Sequence, residues 1–150
     1  MIHFKAHEFV KLSGHSVDMP ISVGVADKIK DLIFELNPVR KRVGKPVIVT
    51  SSYRPSWWEH YKGRSGNSEH TFEDKGAVDL TVLQPYMKEL AHSLIEITNF
   101  NRIAFYPNSL FFHVDYKNKE RGKTLFISRN NKWEMVNQDT FIETVKSITY

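Results

Sequence analysis

The chain has no cysteine among its 150 residues. Disulfides and thiolate metal sites are therefore excluded, and any metal must be held by His, Asp or Glu. No stretch approaches the ~20 consecutive apolar residues that span a bilayer. The opening MIHFKAHE segment also lacks an apolar run of signal-peptide length. A substrate outside a membrane would then have to be reached by something other than a signal peptide. Repeats, low-complexity tracts and linkers are missing too, so one domain over residues 1–150 is expected, large enough for a real core. Excess charge is small: 21 basic against 17 acidic residues give +4. That balance suits an anionic partner such as the bacterial cell wall. The basic residues are scattered, however, and the densest group, Arg40-Lys41-Arg42, ends a predicted helix, where cations offset free carbonyls. Neither nucleic acid nor membrane is expected as a partner, and the chain is expected to be a monomer.

What is present reads as α+β: a small antiparallel sheet flanked by two or three helices. Ser22 caps a predicted helix reaching about Val43, with Val25, Ile29, Leu32, Ile33 and Leu36 at helical spacing and Gly44 as its stop. Lys45 to Thr50 reads as a buried strand, and Ser51 to Asn67 as a polar, irregular loop holding Trp57 and Trp58 as core plugs or groove walls. Gly76 to Leu83 alternates as a strand. A second amphipathic helix runs from Pro85 to about Asn99. Arg102 to Tyr106 and Leu110 to Tyr116 are strands joined by the Pro107-Asn108-Ser109 turn. Residues 124–147 form a hairpin and a closing helix, the helix capped by Asp139.

The chemistry-bearing residues fall on these strands. His113 and Asp115 are two apart and leave the same face, while Phe112, Val114 and Tyr116 point the other way. Asp79 likewise opposes Val78 and Leu80. If the two strands pair, Asp79, His113 and Asp115 meet in one cleft, and His70 enters from the preceding loop. Imidazole and carboxylate donors from separate elements suit Zn²⁺, with a fourth position left open for chemistry.

In order along the chain, Thr50-Ser51-Ser52-Tyr53-Arg54-Pro55, Ser68-x-His70, Gly76-x-x-Asp79 and Phe112-His113-Val114-Asp115 resemble the zinc D-Ala-D-Ala carboxypeptidase and L-alanyl-D-glutamate endopeptidase family. That family includes bacterial enzymes and phage endolysins and shares its fold with the amino-terminal domain of hedgehog proteins. The likeness covers about residues 4–116. It implies a zinc cleft with His70, Asp79 and His113 as ligands. It also implies Arg54 facing the substrate or developing oxyanion, Ser68 supporting the histidine loop, and a peptide of peptidoglycan as substrate. Tyr53, Trp57, Trp58 and Tyr106 are placed as cleft walls, with Tyr106 and Ser68 joining Arg54 among the substrate contacts. Three departures stand out. Eight residues, not six, separate His70 from Asp79, which adds Asp74 as a rival ligand. Leu110 occupies the position where many relatives carry an acid. The last motif is His-x-Asp rather than His-x-His, so His113 and Asp115 compete for the third ligand position, with Asp115 expected as base or orienting partner. A non-catalytic zinc-stabilised binding domain is the alternative to a peptidase.

Overall fold

The computed structural model describes residues 3–13 and 15–148. A two-stranded ribbon, β1 (Lys11–Leu12) and β2 (His15–Ser16), precedes the long helix α1 (Val23–Val43). Ser22 caps α1 by accepting from the Val25 amide, and Gly44 ends it in the left-handed region at φ 67°. Then come β3 (Ile48–Ser51), the short helix α2 (Ser56–Tyr61), a 3-10 turn (Glu69–Thr71), β4 (Ala77–Thr81) and α3 (Met87–Ile97). The chain closes with β5 (Arg102–Tyr106), β6 (Phe111–Asp115), β7 (Thr124–Arg129), β8 (Lys132–Val136) and α4 (Gln138–Ser147). Among the described residues, no helix is long and apolar enough to cross a membrane.

Six strands form one sheet in the order β3-β4-β6-β5-β7-β8. Its neighbours run antiparallel except β5 and β7, which are parallel. The α+β architecture expected from the sequence is the observed one, with that parallel pair as a detail the pattern did not carry. Alternation gives the sheet two unlike faces. Val78, Leu80, Ile103, Phe105, Phe112 and Val114 join Leu32, Leu36, Leu90, Leu94, Phe141 and Val145 in the helix-covered core. The opposite face carries the polar residues of β4, β5 and β6.

Two local expectations change. The Ser51–Asn67 loop contains α2, where the Trp58 ring stacks on Tyr61 at 5.6 Å. The cap of α4 is Asn137, whose side chain accepts from the Thr140 amide, and Asp139 sits in the first turn instead. Strand β3 lies at the sheet edge, so Ile48 is half exposed while Val49 is buried.

Candidate functional site

Strand register builds the site. Asp79 on β4 is the direct partner of His113 on β6, and Asp115 is the direct partner of Arg102 on β5. All four side chains therefore rise from one face. His70 reaches the same place from the 3-10 turn, which Ser68 caps by accepting from the His70 amide at 3.1 Å. The Arg54 amide donates to the His70 carbonyl at 2.7 Å and ties that turn to the strand-following loop.

Three atoms converge. His70 Nε2 lies 3.2 Å from His113 Nδ1 and 3.2 Å from Asp79 Oδ1, and His113 Nδ1 lies 3.0 Å from Asp79 Oδ1. All three residues are buried, and among the described residues they form the one group of this kind. The other ring nitrogens fix the tautomers. His70 Nδ1 lies 2.8 Å from the Ser52 carbonyl, which only accepts, so Nδ1 carries the hydrogen and Nε2 presents a lone pair. His113 Nε2 lies 2.7 Å from Asp115 Oδ2, so Nε2–H donates and Nδ1 presents a lone pair. Three electron-rich atoms thus face one another at contact distance, an arrangement that calls for a cation.

The spacing matches zinc. Bonds of ~2.0–2.1 Å in a tetrahedral site hold ligand atoms roughly 3.3–3.4 Å apart, close to the observed triangle. Without a cation, a proton does the same work. Burial pushes His113 down, but its hydrogen bonds to the Asp115 and Asp79 carboxylates and their negative charges outweigh it and hold the imidazole up at about 9. Burial likewise pushes Asp79 up, yet the His70 charge and bonds from both histidines keep it well below the usual carboxylate range.

Asp115 stands behind His113, not in the triangle. Its carboxylate is fully buried and accepts from Arg102 Nε at 2.8 Å, Arg102 Nη2 at 2.5 Å, His113 Nε2 at 2.7 Å and the Lys117 amide at 3.0 Å. Of the two roles open to it, this geometry is that of an orienting partner, with no oxygen left toward the cleft. Asp74 is exposed on the enlarged loop and stands outside the triangle.

The cluster floors a cleft of about 410 Å³, lined also by Arg54, Ser68, Glu69, Tyr106, Lys117 and Trp133. A hollow of about 480 Å³ lies elsewhere, along Asp31, Glu35 and Tyr116, and contains no histidine. Size alone does not choose the site; the donor set does. Arg54 contacts Ser51 Oγ at 3.2 Å, and its Nε lies 3.3 Å from the buried Glu59 carboxylate, which also binds Arg64 at 2.6 Å. Burial and the Asp79 charge raise Tyr106, so its hydroxyl keeps its proton. Trp57 and Trp58 do not line this cleft; they pack edge-to-face on each other at 6.1 Å, and Trp57 is largely exposed. Arg102, Glu69, Lys117 and Trp133 were not singled out from the sequence. Arg102 shares a strand face with Tyr106, but only the strand register sets it opposite Asp115.

The sequence model of the family described as Peptidase M15 matches residues 3–115, well over half of the chain. No curated protein and no solved structure matches.

Proposed function

The chain belongs to the Peptidase M15 family, and from that membership we propose that it is a zinc metallopeptidase cutting peptide bonds in the stem peptides of peptidoglycan. The observation that carries the reading is the triangle of lone pairs from His70, Asp79 and His113 at 3.0–3.2 Å. These residues would hold the ion. Zinc in such a site polarises a scissile carbonyl and activates water near neutral pH. Arg54 and Lys117 add positive charge along the cleft, which supports a substrate bearing carboxylates, as stem peptides do. Asp115 and Arg102 hold the His113 ring in its working tautomer.

A base is still needed. Asp115 is saturated and Leu110 is apolar, which leaves Glu69 as the carboxylate lining the cleft beside the cluster. Its side chain is half-buried and lies 3.7 Å from Lys117 Nζ across the cleft. Glu69 takes the proton of the attacking water and passes it to the leaving amine.

The decisive experiment combines metal analysis with turnover on purified stem peptides. We expect about one zinc per chain, cleavage lost to chelator and restored by zinc, no cleavage by His70→Ala, and a fall of roughly 10²–10⁴-fold for Glu69→Gln with zinc content retained. Stoichiometric zinc without turnover on any wall peptide would select the other reading, a non-catalytic zinc-stabilised domain that binds wall peptides or serves a phage particle. The apolar Leu110 position favours that reading. Less than ~0.2 zinc per chain would count against both.

A further inference from the structure

The family match ends at residue 115, yet one wall of the cleft comes from beyond it. Strands β7 and β8 pair through Ser128 and Trp133 as direct partners, and Trp133 lines the cleft. Its indole lies 5.3 Å from the His113 ring and under the Arg102 guanidinium at 4.8 Å. Its Nε1–H donates to the Tyr106 hydroxyl oxygen at 2.9 Å.

We propose that the Tyr106 hydroxyl donates to the carbonyl oxygen of the scissile bond as negative charge develops there, and that Trp133 is the positioning residue that aims it. This rests on the peptidase reading and names a residue for that same site. An indole N–H donates and never accepts, so the phenol oxygen acts as the acceptor in their bond. The hydrogen of the Tyr106 hydroxyl is thereby turned away from Trp133. A hydroxyl whose oxygen already accepts is polarised into a stronger donor.

The ring has little freedom. Phe111, its direct partner on β6, stacks on Tyr106 at 4.2 Å with 14° between planes. Trp133 meets it edge-on at 6.4 Å and 82°. Tyr106 also shares a sheet face with His113, whose direct partner on β5 is Ala104, two residues away. A donor fixed before substrate arrives is the kind that stabilises developing charge, since nothing must reorganise as the reaction proceeds. Arg54 is less free for the task, being engaged by Ser51 and Glu59.

The test uses the zinc-loaded full chain, Tyr106→Phe, Trp133→Phe and the double variant. Two quantities are read: kcat and KM on a stem peptide, and the Kd of a phosphinate isostere of its scissile bond, whose tetrahedral anion mimics the developing charge. Tyr106→Phe should lose about 10²-fold in kcat with little change in KM, and weaken phosphinate binding by a similar factor. Trp133→Phe, which keeps a ring but loses the N–H, should lose about 3–10-fold in the same two quantities, less than deletion of the donor it aims. The double variant should be no worse than Tyr106→Phe, because aiming a missing hydroxyl has no value. Zinc content and melting temperature serve as controls for folding. Wild-type kcat and phosphinate Kd in Tyr106→Phe would overturn this proposal alone. So would strictly additive losses, which are the signature of a wall that merely packs. A wild type that neither cleaves the peptide nor binds the phosphinate would remove the peptidase reading and this proposal together.

Discussion

At the scale of single residues, Asp115 meets the candidate metal centre only through the His113 ring. The triangle needs His113 Nδ1 unprotonated, and that is settled on the far side of the ring, where Nε2–H points at Asp115. Arg102 holds the carboxylate by two bonds, at 2.8 and 2.5 Å, and so fixes the ring plane as well. Replacing Asp115 with Asn removes one acceptor oxygen and the charge, and lets either imidazole tautomer form. Zinc affinity should drop about 10–100-fold, the usual cost of losing such a partner. Competition with a chromophoric chelator measures it, with Asp74→Asn as the neutral control. An unchanged affinity would mean that Asp115 does not orient His113. The triangle itself was legible in the sequence because strand alternation is a two-residue rule: Val78 and Leu80 facing the core force Asp79 outward, as Phe112 and Val114 do for His113. Arg102 was not legible as part of the site. An arginine on a strand has no signature until the register sets it opposite Asp115.

Among the elements, the enlarged loop between the 3-10 turn and β4 shows where sequence reading stops. Its extra length shows only against the spacing that the family resemblance implies, and its use was not legible at all. Phe72 sits in the left-handed region at φ 61°, and that conformation drops its ring into the core beside Tyr53 at 5.3 Å. Lys28 of α1 then donates to the Phe72 carbonyl at 2.5 Å. The loop is an anchor between helix and sheet, and Gly76 closes it under two constraints. Its φ is 96°, and an added Cβ would meet the Phe72 ring at 3.0–3.1 Å. Gly76→Ala should therefore destabilise by more than ~1 kcal/mol, a fall in melting temperature of roughly 2–4 °C for each kcal/mol at this size. Gly63→Ala, equally left-handed but with open space around its Cβ, isolates the backbone share. Equal losses in the two variants would remove the steric part of this account. Long elements were read well for the opposite reason: α1 carries its stop signals locally, in Ser22 and Gly44, and needs no tertiary partner to be recognised. Helix α2 has only six residues, too few for a periodic pattern to show.

Across the whole molecule, buried charge also ties distant segments together, alongside the apolar core. The candidate ligands come from three separate stretches, and Arg40 performs a similar service at the other end of α1. It is buried, with its guanidinium 3.7 Å over the Phe4 ring. It donates to the His3 carbonyl at 3.0 Å, the Val47 carbonyl at 2.6 Å and the Glu8 carboxylate at 2.7 Å. The opening segment, α1 and the approach to β3 are thus held by one side chain. Sequence alone read this residue as one of three cations offsetting a helix end; its burial depends on a fold that brings residues 3–8 across α1. The charge at Glu8 makes the clamp pH-sensitive. Burial pushes Glu8 up, but the Arg40 hydrogen bond, the Lys5 amide and the charges of Arg40 and His7 outweigh it, so its pKa lies below the ordinary 4.5. The unfolded chain then binds this proton more readily than the folded one. The stabilisation is accordingly complete above the unfolded value and is lost as pH falls through the folded one. Glu8→Gln should cost about 1.5–3 kcal/mol at pH 7, and the gap to wild type should narrow between about pH 5 and pH 3. Urea midpoints of the two proteins at pH 7, 5 and 3.5 provide the comparison, and taking the difference cancels the titration of the metal-centre carboxylates common to both. A gap that stays constant over this range would show that Glu8 contributes by shape and neutral hydrogen bonding, not by its charge on Arg40.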